Sequence, residues 1–231
     1  MPTRGLSARM NEGIRLFRQK RYAEALELFL SLDSDDDTQS ELSYYLGLCY
    51  TQLMRYDEAL LYLELVVNSD LGLLHAYQCR MIMGYIYART GRHRLAEFEL
   101  NRLLEDGYES AKVYAALAYA VYAQGKTAPA IANLEKALQL DPRNANALNS
   151  IGFILAENDI KIDQALEYCR RAVAASPRNA AYLDSLALAQ RRAGNLQTAK
   201  DLYEQAVRLS QGNLEIVDHY KALLRDAGVS I

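Results

Sequence analysis

Tryptophan is absent from the 231 residues, and proline (4), cysteine (3) and histidine (3) are scarce. Few prolines suit a mostly helical chain, because proline costs about 3 kcal/mol in a helix interior. Cys49, Cys79 and Cys169 are odd in number, widely spaced and free of any C-x-x-C pair. That argues against a disulfide framework or a zinc site and for a reducing compartment. No stretch reaches the roughly 18 uninterrupted apolar residues of a membrane span, so no membrane insertion is expected. The opening segment 1–9 lacks the apolar core and small-residue cleavage site of a secretory leader. A cytoplasmic location is therefore expected, with a periplasmic or envelope-associated one as the alternative if a leader has been removed. Positive charge is not in excess either: 26 Lys and Arg stand against 29 Asp and Glu. With nothing to spare for neutralising a phosphate backbone, nucleic acid is disfavoured as a partner.

What the chain does have is apolar mass, 51% of its residues, and an unusual 17 tyrosines against 4 phenylalanines. It also has a period. Small residues recur as Gly13, Gly47, Gly84, Ala118, Gly152 and Ala187, spaced 34, 37, 34, 34 and 35 apart. A second series, Ala25, Ala59, Ala96, Ala130, Ala165 and Ala199, follows each of these by 12 residues, except the fifth, which follows by 13. Around both series apolar residues fall at helical spacing, with breaks such as Gly91, Gly125 and Gly194 between the members of a pair. Asp141-Pro142-Arg143-Asn144 and Ser176-Pro177-Arg178-Asn179 end the second helices of two units, since proline cannot continue the helix it follows and asparagine caps the next. Each unit is thus a helical hairpin. The small residues let its two helices approach closely, with Gly84 expected to face Ala96.

The runs Leu46-Gly47-Leu48-Cys49-Tyr50, Tyr56-Asp57-Glu58-Ala59-Leu60, Ala130-Ile131 through Ala137-Leu138, Leu140-Asp141-Pro142 and Gly194 through Ala199 resemble the tetratricopeptide repeat. Tyr182-Leu183-Asp184-Ser185-Leu186 is similar to tandem units of stand-alone bacterial proteins of that family. The resemblance covers about residues 6–213 and implies an all-α fold, a right-handed α-solenoid of about six hairpins: 6–39, 40–76, 77–110, 111–144, 145–179 and 180–213. The remaining 214–231 would hold a capping helix, about Leu214–Asp226, with Leu214, Val217, Tyr220 and Leu224 on its apolar face. The family's usual tryptophan is replaced by Arg9, Ser43 and Arg80 in the first three units and by Tyr114, Leu148 and Leu183 in the others.

Catalytic and metal chemistry find little support. His75, His93 and His219 lie in different units without ligand spacing, no cysteine has an evident base beside it, and no phosphate loop or nucleophile elbow is present. No enzyme activity, cofactor or metal is expected. The acidic run Asp33, Asp35, Asp36, Asp37 and Glu41 reads as a solvated loop that supplies charge to a helix start.

The first helices carry the functional signal. Segment 76–88 is apolar nearly all round and 113–123 has no charged residue, so such helices must be covered on two sides. Leu46, Tyr50 and Leu53 form the stripe meeting the second helix. About one hundred degrees round lie Tyr44, Leu48 and Thr51, with later equivalents Met81 and Tyr85; Ala115, Tyr119 and Tyr122; Asn149 and Phe153; and Asp184, Leu188 and Arg191. The resemblance implies that this ladder lines a concave groove receiving peptides or helices. Tyrosine suits that use, giving large contact area with a polar tip at low entropic cost. The expected function is a non-enzymatic scaffold or adaptor binding a peptide segment or amphipathic helix of a protein partner. Its groove residues would be Tyr44, Leu48, Met81, Tyr85, Tyr119, Tyr122, Asn146, Asn149, Phe153 and Arg191, with the two asparagines bonding the ligand backbone. The alternative is a structural subunit of a cell-envelope or motility assembly, using convex or end surfaces. Chaperone adaptors of the family clamp a carboxylate with Lys, Asn and Arg, but the matching places here hold Met10, Ile14, Tyr45, Gln78 and Ile82.

Overall fold

A computed structural model describes residues 3–33 and 36–226. Among them lie thirteen α-helices and no strand, in two compact units. The first unit, Met1–Glu109, contains the hairpins α1 (Thr3–Arg18) with α2 (Tyr22–Leu30), α3 (Asp36–Gln52) with α4 (Tyr56–Val67), and α5 (Leu73–Arg89) with α6 (His93–Glu105). The second, Ser110–Ile231, contains α7 (Ala111–Tyr122) with α8 (Thr127–Leu140), α9 (Ala145–Glu157) with α10 (Ile162–Ala175), α11 (Ala180–Arg192) with α12 (Leu196–Leu209), and the closing α13 (Leu214–Asp226). The fold is an all-α solenoid of stacked hairpins. Of the acidic run, Asp35 lies outside the described residues.

Local chemistry sets these elements. Each hairpin turns through a residue in the left-handed region: Lys20, Met54, Gly91, Gly125 or Gly194. The α9–α10 turn uses two, Asp159 and Lys161, which accommodates the extra residue that stretches the fifth spacing to 13. Three first helices and the closing helix are capped by a side chain that accepts backbone N–H bonds their open end leaves unmet. Ser110 caps α7 (3.3 Å to Val113 N), Asn144 caps α9 (3.0 Å to Ala147 N), and Asn179 caps α11 (3.0 Å to Ala181 N). Asn213 does the same for α13 (3.0 Å to Glu215 N).

At the four glycines of the small-residue series a Cβ would meet the second helix, chiefly a side chain one turn beyond the marker alanine. A Cβ on Gly84 would meet the Leu100 side chain at 3.1 Å, so Leu100, and not Ala96, takes the space. Three other hairpins do the same: Gly47 admits Leu63, Gly13 admits Phe29, and Gly152 admits Cys169. Each occupant sits four residues, one helical turn, beyond the marker alanine. The alanines themselves are fully buried.

The positions where tryptophan is usual are filled in two ways. In the first unit polar groups bridge the helices: Arg80 donates to Glu99 at 2.8 Å with both side chains largely buried, and Arg9 donates to the Ser31 hydroxyl at 2.7 Å. In the second, Tyr114, Leu148 and Leu183 are simply buried.

The last helix departs from expectation by a partial rotation: of the expected face Val217, Tyr220 and Leu224 are half-buried, with Tyr220 packed beside Tyr203. Its buried residues are Ile216 and Leu223, which join Leu183 with Ala206 and Ala187 with Tyr203, while Leu214 is 77% exposed. Turned this way, α13 brings His219 Nδ1 to 2.9 Å from an Asp184 carboxylate oxygen. Asp184 and Leu188, expected on the open ladder, are therefore buried at 6% and 5% exposure. The ladder of the sixth hairpin is closed by the chain itself.

Candidate functional site

The ladder residues fall four in the first unit and six in the second. In the first unit, Tyr44 on α3 is half-buried, donates its hydroxyl to Gln78 Oε1 on α5 at 2.6 Å, and meets the His75 ring edge-on at 4.9 Å. Burial pushes its phenol up from the usual range. Tyr44 thus ties neighbouring first helices together, and Leu48, one turn on, is also half-buried.

Beyond these two the surface opens. Met81, Ile82, Tyr85 and Arg89 of α5, Thr51 and Gln52 at the end of α3, Met54 of the following turn and Tyr56 at the start of α4 enclose an open groove of about 530 Å³. That is the scale of a small-ligand or side-chain pocket. Its shape follows from local structure. Met54 stands in the left-handed slot that glycine fills in the third hairpin, and this puts a 72% exposed thioether side chain on the rim. Thr51 turns its hydroxyl back onto the Gly47 carbonyl at 2.7 Å and presents its methyl group. Tyr85 is 52% exposed, and its phenol is raised by partial burial and by the hydroxyl of Tyr56 beside it. Arg89 closes one end, with no ion pair among the described residues.

Of the expected residues this groove gathers Met81 and Tyr85. Met54, Tyr56, Gln52, Ile82 and Arg89 were not foreseen as its walls. The available signal was Met54 itself, a large apolar residue in a turn position that other units give to glycine or lysine.

In the second unit Tyr119 is 59% exposed on α7, while Tyr122 is half-buried and accepts a bond from Asn158 Nδ2 at 3.2 Å. Asn146 is exposed, yet its carbonyl oxygen already accepts the Tyr182 hydroxyl at 2.5 Å, leaving only its amide N–H groups for a ligand. Asn149 and Phe153 are half-buried, and the Asn149 side-chain oxygen is buried without a hydrogen-bond partner. Arg191, also half-buried, lies against the hydroxyl of Tyr203 in the hairpin interior. Several ladder groups therefore serve as polar struts one repeat apart.

Burial pushes all three cysteine thiols up to about 12, so at neutral pH they are protonated and poor nucleophiles. Among the described residues no three His, Cys, Asp or Glu side chains gather to hold a metal, and no helix is long and apolar enough to cross a membrane.

Stacked antiparallel helical hairpins, four of them with a glycine that admits a side chain of the second helix, define an α-helical repeat protein. Residues 118–159 match the family model described as TPR repeat, and residues 161–213 the one described as tetratricopeptide repeat. Residues 118–213 thus carry tetratricopeptide repeats. Proteins of this class generally mediate protein–protein interaction, and the fold is typically a non-enzymatic scaffold. No curated protein matches the chain.

Solved structures share the fold. The C-terminal part of a TPR repeat-containing protein from Cytophaga hutchinsonii superposes with a TM-score of 0.69 at 19% identity, covering 94% of this chain and 90% of that one. TTC0263, a thermophilic TPR protein in Thermus thermophilus, gives 0.62 at 20% identity over 80% and 98%. YrrB, described as a TPR protein with an unusual peptide-binding site, gives 0.60 at 16% identity over 87% and 97%.

Proposed function

We propose that the protein is a non-enzymatic adaptor that captures an extended segment or amphipathic helix of a partner protein, anchored in the groove beside Met81 and Tyr85. The observation that carries this reading is the groove itself, an open space of about 530 Å³ with a thioether and aromatic lining and a polar rim of Gln52 and Arg89. Methionine side chains adapt to irregular apolar surfaces, and tyrosine loses little rotamer entropy on contact. Together they suit an inserted aliphatic or aromatic side chain. The guanidinium of Arg89, with no carboxylate of its own, favours a partner carrying an acidic group next to that apolar anchor. A solved protein of the same fold, YrrB, is described as having a peptide-binding site, which supports the class of ligand.

The test is capture from native lysate with crosslink mapping, followed by affinity measurement on the partner found. Tyr85→Ala with Met81→Ala is expected to weaken capture at least about tenfold, the size of one hot spot of roughly 2 kcal/mol. Arg89→Glu is expected to weaken it further and to reduce its salt dependence. Unchanged affinity with an intact helical CD spectrum sinks the reading.

A further inference from the structure

All six hairpin turns close with the same two backbone bonds, and the side chain of the left-handed residue takes no part in them. In the second hairpin the Met54 N–H donates to the Thr51 carbonyl at 3.1 Å and the Arg55 N–H to the Tyr50 carbonyl at 2.9 Å. In the third the Gly91 N–H donates to Ala88 at 3.3 Å and the Arg92 N–H to Tyr87 at 2.8 Å, so glycine completes the turn with no side chain at all. Met54 therefore adds nothing to the turn and burdens the fold twice. A side chain in the left-handed region crowds the carbonyl that follows, a strain glycine does not carry. The thioether also stands mostly in water. Among the described residues the other side chains at left-handed positions, Lys20, Asp159, Lys161 and Gln211, are polar, and Met54 alone is apolar. Its neighbours around the groove are Met81, Ile82 and Tyr85 of α5 and Tyr56 of α4. Backbone strain that the fold does not need gathers where a side chain is used for function.

We infer that Met54 is the specificity-determining residue of this groove, its thioether folding onto a large apolar side chain of the partner, aromatic or long and unbranched, carried beside a carboxylate. The inference rests on the adaptor reading of the same groove. Methionine has three rotatable bonds and a polarizable sulfur, so it adapts to irregular apolar surface and meets aromatic rings favourably. Placed on a turn at the rim, it adds a movable wall to a groove that is otherwise open to water. Contact withdraws apolar surface from water on both the thioether and the inserted side chain. A side chain as short as that of alanine gains nothing from such a wall, so Met54 selects for size. The carboxylate follows from Arg89, whose guanidinium has no ion pair among the described residues.

N-acetyl-phenylalanine joins an aromatic side chain to a carboxylate and is the probe. A ligand of its size binds at about a millimolar at ordinary ligand efficiency, so an NMR titration to roughly 20 mM spans the transition. With carbon-13 in the methionine methyl groups, the Met54 and Met81 resonances are expected to shift along one isotherm, while that of the buried Met83 stays in place. Met54→Gly, followed through Met81, is expected to weaken N-acetyl-phenylalanine at least about threefold and to leave N-acetyl-alanine unchanged. The same variant is expected to hold or raise the thermal midpoint, because the turn keeps its bonds and loses its strain. Met54→Ala keeps the strain and is expected to weaken the probe to the same extent. A Met81 shift without a Met54 shift, a Met54→Gly chain that binds as wild type, or equal weakening of N-acetyl-alanine overturns the inference and leaves the groove in place. No shift of either methyl group overturns the inference and the groove together.

Discussion

A single methyl group is a measurable quantity at the hairpin crossings. At Gly152 a Cβ would stand 2.5 Å from the Cys169 sulfur and 3.1 Å from the Ala165 carbonyl oxygen, in an interior with no slack. Gly152→Ala is therefore expected to cost about 1–3 kcal/mol by overpacking. Removing the sulfur with Cys169→Ala in the same chain is expected to recover part of that loss, because only the backbone contacts, the Ala165 oxygen at 3.1 Å and the nitrogen of residue 169 at 3.2 Å, then remain. Urea denaturation of the two single variants and the double variant measures the coupling; strict additivity would place the strain elsewhere. The small-residue spacing was legible in the sequence because the crossing constraint recurs in every hairpin. Which residue filled the space was not, since Ala96 and Leu100 both lie on the inward face of α6 and only the helix crossing decides between them.

At the scale of an element, α13 shows how a buried polar pair orients a helix. The apolar count along its sequence pointed to Leu214, Val217, Tyr220 and Leu224, yet the helix turns to bury Ile216 and Leu223 and to set His219 against Asp184. Asp184 has little access to water, so an orientation that left it unpartnered would carry the full cost of a buried charge. The pattern of apolar residues could not reveal this, because it assigns no weight to a carboxylate 35 positions away. The hydrogen bond to Asp184 raises the His219 pKa above its ordinary 6.5, although burial opposes this; the carboxylates of Glu215 and Glu157 act in the same direction as Asp184, and Tyr203 and Arg191 also line the site. A histidine whose folded pKa exceeds its unfolded one adds stability that is complete below about 6.5 and fades as pH rises through the folded value. The docking of α13 is thus expected to weaken from near neutral towards alkaline pH. Hydrogen exchange of α13 amides, corrected for intrinsic pH dependence, is the check. His219→Ala is expected to cost roughly 2 kcal/mol and to remove that pH dependence; a persistent slope would assign it to another group.

For the whole molecule, the sequence disclosed a repeating helical architecture, and the structure divides it into two compact units at Glu109 and Ser110. Period carries no mark of that division, since the 34-residue spacing from Gly84 to Ala118 passes through it unchanged; composition does, with Arg9, Ser43 and Arg80 at the usual tryptophan positions before it and Tyr114, Leu148 and Leu183 after it. The groove was half legible for a similar reason. Period located Met81 and Tyr85 on one face, but Met54 enters from a turn, where backbone conformation and not helical spacing aims the side chain, and Tyr56 from the first position of α4. The second unit has what a helical repeat array needs to stand alone. Its first helices α7, α9 and α11, and its closing α13, are each capped by a side chain, and α13 covers the last hairpin with Ile216 and Leu223 inward. Stability in such arrays is approximately a sum of repeat and nearest-neighbour terms, so a cut at the unit boundary leaves the terms inside this unit in place. Residues 110–231 expressed alone are accordingly expected to give a helical CD spectrum and one cooperative thermal transition, with Tyr203 and the α12 amides among the last to exchange. A helical but non-cooperative product would mean that the compactness of this unit depends on the residues before Ser110.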